Sequence, residues 1–403
     1  MLALPDHSAK AEMLALGEKD HMPMPKIMRR VNLSAAQSRF WFLNLYAEDR
    51  TTSNVTFIYR IAGRVRVPAL ARAVTTVARN HESLRTCFLP DDAAPEVGWQ
   101  GLMETSALKL EHYNLSSDSE AGIVSEYYDQ VKNTHYDLSR GKTMRVMLLT
   151  LKPDSHAIIF GYHHIIMDGV GFQVFLRDLE IAYTGRQALP LPPLQYLDFS
   201  ERQQQHRRMC TNGGVESKSM TYWRQELKDL PPLFPLLPIA RVPSRQALDA
   251  YHSIHVQERL SPLVSSRIKT LCREARCTPS HFYLAVFRVL LTRIAGVQDV
   301  CVGMADANRS DLETMAMVGL CLNLLPVLFR GDSSRAVSEP TSVTFQTVLQ
   351  STRDKVYEAL GHSDVAIDEI LQGESRSFVV SMFFGQLLMC LYRSAGFASF
   401  IWP

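Results

Sequence analysis

Residues 156–169 read HAIIFGYHHIIMDG, and the parsing of the whole chain follows from them. The run HAIIFGY is apolar and β-rich. It is separated by the turn Lys152-Pro153-Asp154-Ser155 from a second such run, TMRVMLLTL (143–151), so the two predict a β-hairpin. Beyond Gly169 the pattern becomes helical, GFQVFLRDLEIAYTG, and closes on Gly185. His163 and His164 therefore fall on a tight strand-to-helix turn, where a side chain can project into a cleft. Asp168 falls at the helix N-cap, where its carboxylate can accept amide hydrogens.

Several chemistries fit such a turn. The histidines can be satisfied core groups, with Asp168 acting only as a cap. A metal site would need three or four ligands in defined geometry, and HExxH-type patterns are absent. Nucleophilic hydrolysis would call for a GxSxG elbow or a suitably placed cysteine, and neither stands out. A lone histidine working as general acid–base remains, since an unperturbed pKa near 6.5 suits proton transfer at neutral pH.

Outward from the turn, the signals alternate between strand and helix. Ser34 can cap a helix over SAAQSRFWFLNLY, NVTFIYRIAG alternates like a strand, and Pro68 opens the helical pattern PALARAVTTVARNHES. LRTCFL reads as a strand and residues 119–133 as a helix. RQALPLPPLQYLDF is proline-rich and reads as an extended crossover, and CTNGGVESKS as a surface loop. Further on, Ser261-Pro262 and Thr278-Pro279 open two helices, the second ending at Gly296, and DVCVGMA reads as a buried strand. The expected fold class is α/β (α+β, mixed sheets) in two lobes. The expected divisions are a flexible tail over 1–28, a first lobe over 29–190 that carries the histidines, and a second lobe over 191–403.

Composition limits the alternatives. With 403 residues, 46% of them hydrophobic, the chain can bury large cores, and a net charge of +2 with mixed signs argues against a nucleic-acid surface. The seven cysteines form no CxxC pair and read as reduced thiols of a cytoplasmic protein. The N-terminus has no signal-peptide core. Residues 377–392, SFVVSMFFGQLLMCLY, carry no charge but are shorter than the roughly 20 residues of a membrane span, so a strand and short helix are expected there rather than an anchor.

The turn YHHIIMDG resembles the HHxxxDG signature of condensation domains in nonribosomal peptide synthetases, relatives of chloramphenicol acetyltransferase. Six further stretches resemble the family's other motifs, in the family's order: SAAQSRFWFL (34–43), RNHESLRTCF (79–88), YLDFS (196–200), YWRQELKDLP (222–231), VGLCLNLLPVLFR (318–330) and HSDVAIDEIL (362–371). The wording SRFWFL, ANRSD and LNLLP is closest to fungal polyketide synthase–peptide synthetase hybrids. The resemblance implies two chloramphenicol acetyltransferase-like lobes in a V, with a central tunnel that admits phosphopantetheine arms. It implies acyltransferase chemistry in secondary metabolite biosynthesis, joining a carrier-bound acyl thioester to the amine of a carrier-bound aminoacyl group. It gives no cofactor of the chain's own, since phosphopantetheine arrives on acyl or peptidyl carrier proteins or on a larger synthase. No metal, nucleic-acid or membrane partner is implied.

Carried over by position, His164 is the catalytic histidine, with His163, Asp168 and Gly169 completing the motif. Gly169 leaves room for substrate and can offer its amide to an oxyanion. Asp168 pairs with an arginine of the other lobe, for which Arg309 is the candidate, and Asn323 stands near the tunnel. Ser34, Gln37, Arg39, His81, Glu82 and Arg85 are expected to be structural, and Asp198 and Phe199 to fix the crossover. Two departures bear on activity: the fifth motif lacks the usual GxFVNT wording, and the chain stops soon after the sixth, leaving the second lobe incomplete at its end. The rival readings are a non-catalytic docking module and transfer to a free amine or alcohol.

Overall fold

The computed structural model describes residues 24–115, 120–212, 217–232, 234–241, 258–331 and 344–371. Three sheets organise them. β1 (Ile27–Asn32), β3 (Thr86–Pro90) and β4 (Gly98–Met103) form one, in the order β1-β4-β3. β2 (Asn54–Ala62), β5 (Leu110–Asn114), β6 (Met144–Lys152) and β7 (Ser155–His163) form the second, in the order β2-β7-β6-β5, in which only the β5–β6 pair is parallel. β8 (Val300–Asp306) and β9 (Asn323–Phe329) form an antiparallel pair.

The four-stranded sheet explains why its sequence reads as two continuous apolar runs. Alternate residues serve opposite faces, and both faces are covered. Val146, Leu148, Ile158 and Phe160 join the large core beneath α2 (Val67–Asn80) and α4 (Gly169–Thr184). Met147, Leu149, Ala157 and Ile159 face the opposite way, onto Val124 and Val131 of α3 (Glu120–Lys132). The register of Val146 with Phe160 and of Asn54 with His163 brings β7 out at the end of the sheet, so its last residue leads straight into the turn.

α1 (Ala35–Tyr46) starts in a capping box: Ser34 Oγ accepts from the Gln37 amide, and Gln37 Oε1 accepts from the Ser34 amide. α4 ends at Gly185, whose φ of +63° is the left-handed conformation that a helix C-terminus favours and only glycine adopts without strain.

The second half carries α6 (Lys218–Glu226), α7 (Pro262–Glu274), α8 (Pro279–Ala295), the single turn α9 (Leu312–Met315), α10 (Phe345–Leu360) and the short α11 (Ile367–Ile370). Trp223, Leu284, Val302, Val327 and Val356 meet in its core.

Four expectations change. The tail predicted over 1–28 gives way to β1 at Ile27, which pairs with β4. The crossover is not extended to Phe199: α5 (Tyr196–Asn212) begins within it. That helix, assigned by sequence to the second lobe, lies against β1, because Arg29 reaches both Asp198 and Glu201 at 2.7 Å and Ser200 donates to the Asn32 carbonyl. Only the ends of CTNGGVESKS are described, Cys210–Asn212 and Ser217–Ser219, and these are helical apart from the cap Ser217. The strand and helix expected over 377–392 lie outside the described residues. Among the described residues no helix is long and apolar enough to cross a membrane.

Candidate active site

The histidine turn is built almost wholly by backbone and buried neighbours. The His163 amide donates to the Thr143 carbonyl, and the His164 amide to the Ser53 carbonyl at 2.8 Å, so both residues are fixed before their rings are considered. His163 is buried, and its Nδ1 accepts from the Ile165 amide at 3.2 Å. An accepting Nδ1 puts the proton of the neutral ring on Nε2. Burial, with the neighbouring His164, lowers the His163 pKa to about 3. It is a neutral brace for the turn, not an accessible base.

His164 differs. It is only partly buried, and its Nδ1 is enclosed without a side-chain partner, which leaves Nε2 as the ring nitrogen open to the surroundings. Burial lowers its pKa, while its own backbone carbonyl and the Asp168 charge favour the proton. At neutral pH the ring therefore offers a lone pair rather than a charge. The Phe40 ring stacks on it, with centroids 4.9 Å apart and planes 12° from parallel, and Tyr162 meets it edge-on.

Asp168 caps α4, its Oδ1 accepting from the Gly171 amide at 2.8 Å. It is also one of the points where the two halves join. Arg309 Nη2 donates to both carboxylate oxygens at 3.0 and 3.2 Å, the Cys321 amide donates to Oδ2, and the Asp168 amide donates to the Gly319 carbonyl. The Arg309 side chain is fully enclosed and also binds the carbonyls of Thr314, Met317 and Gly319. Asn308, just before it, takes φ +51°, a conformation asparagine tolerates better than most residues.

The approach of the two segments leaves no room for a side chain. A Cβ on Gly171 would stand 2.9 Å from the Gly319 carbonyl oxygen, and one on Gly319 would stand 2.0 Å from the Tyr196 ring. Tyr196 in turn donates to the Leu320 carbonyl at 2.6 Å and shares a hydrogen bond with Ser34. Ser83 donates to the Val318 carbonyl and Arg39 to that of Leu322. Residues 317–322 thus form a clasp in which each backbone unit is held by a named partner.

Gly169 opens α4, so its amide is among the first-turn donors that lack an intrahelical partner. The Asn323 side chain is fully engaged: its Nδ2 donates to the carbonyls of Ser363 and Val365, and its Oδ1 accepts from the Leu324 and Ile367 amides. Its amide group is spent on fastening α11 to β9. His81 binds Asp178 in a buried pair at 2.7 Å, and Arg85 binds the Met103 carbonyl, both remote from the histidine turn in their contacts. Asp198 holds Arg29, and Phe199 packs on Tyr196. Sequence reasoning passed over Phe40, Ser53 and Gly319. Only Gly319 carried a local signal, a glycine inside an apolar run.

Residues 27–385 match the condensation-domain family model. The chain belongs to the condensation-domain family. Its curated relatives include the hybrid PKS-NRPS synthetase poxE of Penicillium oxalicum, 40% identical over 85% of this chain, and the polyketide synthase-nonribosomal peptide synthetase phmA of Phaeosphaeria nodorum, 38% identical over 86%. In each case this condensation domain spans 8% of the relative's length. Among solved structures, the condensation domain from the Monacolin K polyketide synthase MokA superposes with a TM-score of 0.73 at 26% identity, covering 86% of this chain and 76% of that one. The mixed α/β architecture described above is that of the family.

Proposed function

We propose that this condensation domain forms an amide from a carrier-bound acyl thioester and the amine of a carrier-bound aminoacyl group, with His164 as the proton-transfer residue. The observation that supports this is the contrast between neighbours: His163 is buried and engaged, whereas His164 keeps an accessible Nε2 on a ring held neutral by burial.

Nε2 accepts the proton as the amine nitrogen attacks the thioester carbonyl. The C–N bond forms and the carbonyl oxygen takes up negative charge. Collapse breaks the C–S bond, and the proton returns to the leaving thiolate. In this reading the Gly169 amide, at the N-terminus of α4, donates to the transient oxyanion. Asp168 and Arg309 keep the turn closed rather than touching substrate. Phosphopantetheine arms on acyl and peptidyl carrier proteins, or on a larger synthase, bring both substrates.

The test is product mass spectrometry with an acyl-loaded carrier and a panel of aminoacyl-carrier, free amine and alcohol acceptors. The His164→Ala protein, matched in fold by circular dichroism, should lose about 10²–10⁴-fold in rate. Full turnover by that variant would remove the histidine from the mechanism. A product formed only with a free acceptor would reassign the second substrate.

A further inference from the structure

Apart from the interaction with its own backbone carbonyl, the imidazole of His164 has no hydrogen-bond partner among the described residues, yet a base must hold one orientation to be effective. What fixes the ring is therefore an open question of geometry, and α1 answers it. The Ser34 capping box sets the first turn of α1, and Gln37, within that turn, reaches across to Gln100 and toward the Ile165 carbonyl of the histidine turn. Phe40 lies three residues on, on the same helix face. It is partly buried and packs on both the first-half core and the cluster around Tyr196, Leu320 and Cys321. Arg39 beside it is tied to the Leu322 carbonyl.

We propose that Phe40 is the positioning residue for His164: its ring face sets the imidazole plane and stabilises the imidazolium that forms when His164 takes a proton. This rests on the reading of His164 as the proton acceptor. Two aromatic rings stacked nearly parallel at 4.9 Å hold each other's orientation, and a cation within about 6 Å of a ring centroid is attracted by the negative face. Few charges around the ring compete. Asp168 is bound by Arg309. The Arg39 guanidinium is turned toward Leu322 and Asp368. His163 is neutral, and burial pushes the Cys321 thiol up to about 12. Burial favours the neutral base before reaction, and Phe40 offsets part of the cost of charging it during reaction.

The experiment is a substrate-free NMR titration of the His164 Cε1–Hε1 signal in the full chain, labelled with [13C]histidine. Phe40→Leu keeps bulk and removes the π face. The His164 pKa should fall by about 0.5–1.5 pH units, the equivalent of a partly desolvated cation–π contact, while Phe40→Tyr should leave it within about 0.3 unit. kcat for amide formation should fall about 3–30-fold in Phe40→Leu, with KM nearly unchanged. If Phe40→Leu does not fold, pentafluorophenylalanine at position 40 keeps the shape while reversing the ring's quadrupole, and it should lower the pKa at least as far. An unchanged pKa in a folded variant would overturn the proposal. Because the titration needs no acyl transfer, a shifted pKa in a chain that makes no amide would sink the catalytic reading and leave the stacking role standing.

Discussion

The sheet that carries the histidines and the sheet of the second half solve the same problem to different degrees. β6 and β7 are covered on both faces, with Val146, Met147, Leu148 and Leu149 all at 0% exposure. β8 and β9, the two strands described for the second half, pack inward on Trp223 and Val356, while apolar residues of α7 and α8 remain exposed. Tyr283, Val286, Leu290 and Ile294 recur along α8 at spacings of three and four residues, which places them on one stripe. The histidine turn stands on the saturated frame. The other half contributes Arg309 and the clasp over residues 317–322, which grip the turn without supplying its histidine. Precision is concentrated at the turn for which proton transfer is proposed, and the second half holds Asp168 through Arg309, Gly319 and Cys321.

That division predicts the largest stability effect at the clasp. Arg309→Met leaves the Asp168 carboxylate buried with only the Gly171 and Cys321 amides to answer it. Removing one member of a buried ion pair costs about 3–5 kcal/mol, which urea denaturation would read directly. A loss below about 1 kcal/mol would mean that the amides suffice and that the halves do not lean on the pair.

A smaller, pH-dependent effect belongs to the buried His163. The native state holds His163 neutral down to about pH 3, whereas the unfolded chain protonates it near 6.5. Between these values the unfolded state binds the extra proton, so stability falls as pH drops, with a slope of up to about 1.4 kcal/mol per pH unit for this one group. His156, His164 and His281 are shifted the same way and add to the acid loss. His163→Asn, which keeps an acceptor near the Ile165 amide, should shed one group's share of the slope between pH 6 and 4. A slope identical to wild type would show that His163 titrates normally.

How much of this was legible in the sequence follows from the range of the interactions. The hairpin and the histidine turn were readable because a strand buried on both faces leaves an unbroken apolar run, and because turn and cap residues act within four positions. The pairing of Asp168 with Arg309 came from a resemblance, since no local signal connects residues 141 apart. β1 was hidden because its arginines look like tail charges. Arg29 and Arg30 are answered by Asp198, Glu201 and Asp91, far along the chain. The start of α5 was hidden by the prolines before it. The Phe40 stack was invisible for the same reason as the ion pair: a phenylalanine in a helical pattern reads as core, and only the fold shows that its face meets an imidazole.

The smallest expected effect tests the comparison itself. Leu290 is 50% exposed on the α8 stripe, so Leu290→Gln exchanges an apolar contact with water for a polar one. If that stripe is open in solution, stability should change by no more than about 0.5 kcal/mol, the usual range for surface positions. Chemical denaturation measures the difference, and sedimentation of both proteins checks that the mass per particle is unchanged. A loss above about 1 kcal/mol would show that something covers the stripe, and the contrast between a finished first half and an exposed second half would be withdrawn. A neutral result would place the stripe among surfaces that the histidine frame does not depend on, which is what a half that only clasps the turn can tolerate.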